Sequence, residues 1–218
     1  MQRRKKMILP YNTKTLPINL NTFDFVEREF VNGKKVKNKC GRDFLYYSLH
    51  YYFPDKFNRN QNNPPMIDQN KIFGFPVNAL FAWTMIQFFK VPTLFEELEL
   101  SLSINGRQIR TFRNFITSMI NPNQKSAEEA IKEVEKLIDK GVAVGIDISM
   151  SFWGLLNHVI FVYGYDANYL YVFDTRQVEG LEYEKITEDD RYIMKISKDV
   201  IKKRWTHFGR VWVVNRIF

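Results

Sequence analysis

Only one cysteine, Cys40, occurs in the 218 residues of this chain. A lone thiol excludes an internal disulfide and any cysteine-rich zinc site, and it fits a reducing compartment. Histidine is nearly as scarce, and His50, His158 and His207 are too scattered for a metal-binding motif, so no metal or other cofactor is expected. Acidic residues are the minority, 24 against 32 basic ones, which leaves a net charge of +8. The excess gathers in Arg3–Lys6, Lys34–Lys39 and Lys202–Arg204. None of these clusters interleaves with aromatics as strand-binding platforms do, so nucleic-acid binding is not expected, and an acidic protein partner suits the charge as well.

Long uninterrupted apolar runs are also missing. Ile72–Phe89 is uncharged over 18 residues but carries Gly74, Pro76, Asn78, Thr84 and Gln87, which reads as a turn followed by a buried helix rather than a membrane span. Gln2–Lys6 is basic like the start of a signal peptide, yet Met7-Ile8-Leu9 is broken at once by Pro10 and Asn12, so a soluble, cytoplasmic chain is expected. Aromatic residues, by contrast, are plentiful. With 19 Phe, 11 Tyr and 45% apolar residues, the chain has ample material for one packed core, and the length fits one domain.

Residues 1–35 are rich in Asn and Lys without a clear period, and they are expected to wrap the outside of a single domain spanning 36–218. From Gly41, the positions Phe44, Leu45, Ser48, Leu49 and Tyr52 keep helical spacing until Pro54, which sets Cys40 at a helix N-terminus. Leu98 to Ile104 alternate, and Asn105-Gly106 supplies the two positive-φ positions of a tight hairpin returning through Arg107–Arg110. This hairpin reads as a two-stranded arm, a candidate specificity element. Ser126 with Glu129 predicts a capping box ahead of the apolar stripe Ala130, Ile131, Val134, Leu137 and Ile138.

Beyond Gly141 the period changes to two. Strands are predicted at Val142–Ile148, His158–Tyr163, Tyr169–Asp174, Leu181–Ile186, Tyr192–Ile196 and Val211–Arg216, with a short helix at Asp199–Trp205. Helices first and an antiparallel sheet after them make an α+β pattern.

Thiol catalysis needs a thiolate, which the unpaired N–H groups and positive dipole end of a helix N-terminus favour. Cys40-Gly41 has that placement. Gly41 leaves space for a substrate carbonyl, and the Cys40 N–H can donate to a developing oxyanion. A lone cysteine is also commonly a small buried hydrophobe, so the histidine matters. If Tyr163 faces Tyr169 in a hairpin turning through Gly164–Asn168, His158 stands directly opposite Asp174 with Cβ atoms about 5 Å apart. The carboxylate then accepts from the imidazole, completing a Cys40–His158–Asp174 triad. Taken singly, the two are a satisfied core histidine and a strand-end cap. Asp147 is a rival third member. Trp153 and Asn157 flank the histidine as candidate lining of a substrate cleft, though Trp153 beside Gly154 equally suits packing. His50, ten residues along the same helix from Cys40, is too far to act as its base.

CGRDFLYYSL resembles the cysteine-bearing helix start of the papain-like bacteriocin-leader (double-glycine) peptidase family, and NHVIFVYGYDANYLYVFDT resembles that family's histidine–aspartate hairpin. Ala127–Asp147 matches the helix and strand preceding its histidine, and the likeness spans roughly Lys39–Trp205. It implies a papain-like fold with Cys40, His158 and Asp174 as the triad, and a peptide substrate. Where the family has an oxyanion-hole glutamine six places before the cysteine, this chain has Lys34; Asn38 or Asn32 is the candidate replacement, Asn38 being equally suited to cap the helix. GIDISMSFWGLLNHVIFVYGYD is similar to the N-terminal domain of butirosin-biosynthesis acyltransferases, which implies acyl transfer from an acidic carrier protein to an amine. A third reading is a catalytically inactive binding module on the same fold.

Overall fold

The computed structural model describes residues 9–20, 30–31, 34–35, 40–56, 95–120, 125–149, 157–174, 182–186, 193–207 and 209–217. Three short strands come first: β1 (Lys14–Thr15), β2 (Phe30–Val31) and β3 (Lys34–Lys35). Helix α1 (Cys40–Tyr52) precedes the hairpin β4 (Leu100–Ile104) and β5 (Arg107–Gln108), and α2 (Phe112–Ile120) and α3 (Ala127–Asp139) follow. The remainder is β6 (Ala143–Ser149), β7 (Asn157–Tyr165), β8 (Tyr169–Phe173), β9 (Tyr183–Lys185), β10 (Ile193–Ser197), α4 (Lys198–Arg204) and β11 (Arg210–Arg216). The fold is α+β. Its main sheet runs β5-β4-β11-β6-β7-β8-β10-β9, with β1 joined to β7, and all the pairings among described residues are antiparallel. No described helix is long and apolar enough to cross a membrane.

Local signals place several elements. Ser126 accepts from the Glu129 N–H while Glu129 accepts from the Ser126 N–H, the predicted capping box, a motif in which the cap contributes about 1 kcal/mol. Asn105 (φ 50°) and Gly106 (φ 75°) make the predicted turn. Helix α2 escaped the sequence reading; its start is capped by Thr111, whose hydroxyl accepts from the Asn114 N–H at 3.2 Å, a weaker signal than a Ser–Glu box.

Two expectations need correction. The hairpin is no free arm: β4 pairs along its length with β11, and Asn105 locks to Val211 by exchanging two hydrogen bonds of 2.9 Å. Its alternate residues Leu100, Leu102 and Ile104 are buried core, which a solvent-exposed specificity element would not need. Nor does residue stretch 9–20 merely wrap the outside, because Leu16 is fully buried and β1 extends the sheet along the end of β7. The predicted helix within 72–89 lies outside the described residues.

Helix α1 is buried along residues 43–50, the polar Asp43, Ser48 and His50 included, and is sunk into the core. Phe44 packs its ring against Phe161 and Trp212, and Tyr47 against Phe161 and Phe173, with centroids 5.4–6.1 Å apart. Burying each such side chain is worth about 1.5–3 kcal/mol. At the other end, the Tyr52 hydroxyl accepts from the Ala143 N–H and donates to the Val214 carbonyl, tying the helix to β6 and β11. The N-terminus of α1 is thus held at a set place over the sheet, and Cys40 is its first residue.

Candidate active site

Being first in α1, Cys40 sits where backbone N–H groups have no intrahelical acceptor, and it is partly exposed. Gly41 follows it and is buried. His158 is the second residue of β7 and is 1% exposed. Its Nε2 lies 2.9 Å from Oδ1 of Asp174, itself 3% exposed just past the end of β8. A neutral imidazole bonded in this way carries its proton on Nε2 and donates it to the carboxylate, which leaves the Nδ1 lone pair for the sulfur.

Burial alone would push the His158 pKa down, but the adjacent Asp174 charge, its hydrogen bond and the Cys40 thiol outweigh it and push the value up to about 10. Nδ1 itself has no hydrogen-bond partner among the described residues. Cys40 therefore stands close enough to the imidazole to favour its charged form. A thiol–imidazole contact of this kind commonly tightens only around substrate.

The way His158 and Asp174 meet differs from the sequence expectation. Tyr163 does not face Tyr169, and His158 does not stand directly opposite Asp174. Tyr165 pairs with Leu170 and Gly164 with Tyr171, then a β-bulge inserts Tyr163, after which Val162 pairs with Val172 and Phe161 with Phe173. Continued one residue, this register puts Asp174 opposite Ile160, so His158 and Asp174 are diagonal neighbours on one face. Without the bulge the offset would be odd, and the two side chains would lie on opposite faces. The bulge is held from outside the hairpin: the Tyr163 carbonyl accepts from the Leu16 N–H at 2.7 Å, next to the pairings Thr15–Gly164 and Lys14–Tyr165. Gly164 is needed for that approach, since a Cβ there would stand 2.8 Å from the Lys14 carbonyl.

Asp147, the rival carboxylate, is buried and otherwise engaged. It faces Arg210 and Val159 in the register, accepts from Arg210 Nη1 at 3.1 Å and lies within 3.4 Å of Trp212 Nε1. Burial pushes its pKa up against the opposing pull of Arg210. Asn157 is half-buried at the start of β7, opposite Ser149. Asn38 and Trp153 lie outside the described residues. His50 is buried and stacked on Tyr46 with rings 4° apart, a packing role.

One residue of this cluster was absent from the sequence reading. Tyr183, on β9, donates its hydroxyl to Oδ2 of Asp174. Nothing local marks it, because it arrives through the pairing of β9 with β10 and of β10 with β8. The described residues include no cluster of acidic, histidine or cysteine side chains able to hold a metal ion. What the arrangement can do is move a proton between sulfur and imidazole beside a carboxylate that stabilises the imidazolium. Comparison of the chain with protein-family models, with curated proteins and with solved structures finds no match.

Proposed function

We propose that this chain is a papain-like cysteine enzyme that transfers acyl groups through a thioester on Cys40, acting as a peptidase or amidohydrolase. The observation that carries the reading is the buried His158: one ring nitrogen bonded to Asp174, the other without a hydrogen-bond partner among the described residues, beside a partly exposed thiol at a helix start. A histidine kept only for packing would have both nitrogens satisfied once buried.

In the proposed reaction Nδ1 of His158 holds the proton taken from the thiol, and the sulfur attacks an amide carbonyl. An S–C bond forms, the negative charge moves to the carbonyl oxygen, and the Cys40 N–H donates to it. Collapse breaks the C–N bond as Nδ1 returns the proton to the leaving amine. Water then attacks the thioester, giving its proton to Nδ1, and the acid departs as the thiol is restored. Asp174 keeps Nε2 as the protonated nitrogen throughout and stabilises the imidazolium. No step requires a cofactor.

Iodoacetamide labelling near neutral pH, read by mass spectrometry, tests the reading. Cys40 is expected to alkylate quickly in the native chain and slowly in His158→Ala. Equal, slow labelling of both would overturn the enzymatic account. Incubation with peptides and, separately, with an acyl-loaded carrier protein then identifies the acyl donor from the mass of the Cys40 adduct.

A further inference from the structure

We propose that Tyr183 is a positioning residue that sets the charge state of the site through Asp174. The inference rests on reading Cys40, His158 and Asp174 as the reacting set. Asp174 is almost fully buried, so its charge has to be satisfied by protein groups. His158 donates to Oδ1 and the Tyr183 hydroxyl to Oδ2. With both oxygens held, the carboxyl plane cannot swing, and Oδ1 stays directed at Nε2.

Asp174 lies just past Phe173, the last residue of β8. Tyr183 reaches it from β9, which pairs with β10 along Tyr183–Lys185, and β10 in turn pairs with β8. The hydroxyl is too remote in sequence from Cys40 and His158 to belong to their local elements, and it touches the carboxylate rather than the reacting atoms. Hydrogen bonds to a charged, buried acceptor are among the stronger ones. Loss of this one removes a donor from Oδ2 of Asp174 and weakens the carboxylate's support of the imidazolium.

The test is the pH dependence of Cys40 alkylation by iodoacetamide in the full chain, comparing wild type with Tyr183→Phe, Asp174→Asn and His158→Ala. Tyr183→Phe is expected to move the acid limb of the rate profile to higher pH and to slow labelling at neutral pH about 10-fold. In the Asp174→Asn background the same change is expected to do nothing further, because the two act as one unit. A wild-type profile in Tyr183→Phe, with labelling still lost in His158→Ala, overturns the role of Tyr183 and leaves the reading of the triad standing. Wild-type labelling in His158→Ala overturns the triad itself. If Tyr183→Phe does not fold, 3-fluorotyrosine at position 183 alters the donor strength without changing the ring's shape; an acid limb that stays put with it overturns the proposal.

Discussion

Two buried carboxylates lie on adjoining parts of one sheet, and they have opposite fates. Asp147 meets Arg210, a cation that does not release its proton, and the guanidinium is further occupied by the Ser118 carbonyl at 3.3 Å. Asp174 meets His158, which does release one, and whose second nitrogen still looks toward a thiol. Both pairs are desolvated. The difference is the partner's ability to exchange a proton and the presence of an unfilled acceptor, which separates a clasp from a reacting pair.

Substituting the two carboxylates in turn is the sharpest way to break that comparison. Asp174→Asn should slow acyl-enzyme formation or Cys40 alkylation by about 10²–10⁴-fold while leaving a folded chain, since the amide no longer holds the right tautomer. Asp147→Asn should do the reverse: a loss of about 3–5 kcal/mol in urea unfolding, because Arg210 is left as a buried, uncompensated charge, with the alkylation rate of the folded fraction kept. Comparable rate losses in both variants would erase the distinction.

A smaller effect is expected in the pH dependence of stability. The folded-state pKa of His158 is raised from 6.5 to about 10, so its protonation contributes fully below about 6.5 and is lost as pH climbs toward 10. Unfolding midpoints of the wild type should therefore fall across that window, and those of His158→Asn should fall less. Smallest is Gly164→Ala, where the added methyl meets the Lys14 carbonyl and Thr15; a loss of about 1–3 kcal/mol is expected, with faster amide exchange at Leu16.

Much of the scaffold was legible because its signals are local. Cys40 at a helix start follows from the spacing of Phe44, Leu45, Leu49 and Tyr52 up to Pro54, and α1 begins at that residue. The strand carrying His158 and the strand leading into Asp174 follow from alternation and the turn-rich stretch between them. Their register was misjudged by two positions, which kept both side chains on one face by parity. The bulge at Tyr163 was invisible, since it is stabilised by Leu16 from a segment read as peripheral. Equally hidden was the engagement of Asp147, because Arg210 lies 63 residues downstream on a strand inserted between β4 and β6.

The amino-acid order alone determined where α1 and α3 start, which stretches alternate, and that a cysteine, a histidine and an aspartate occupy element ends; these depend on neighbours within a few positions. Only the tertiary structure decided which carboxylate the histidine would receive, on which face, and that a tyrosine from a distant strand would hold it. Strand pairing and bulges are settled by contacts far apart in the chain, and a displacement of one residue reverses every side chain's direction.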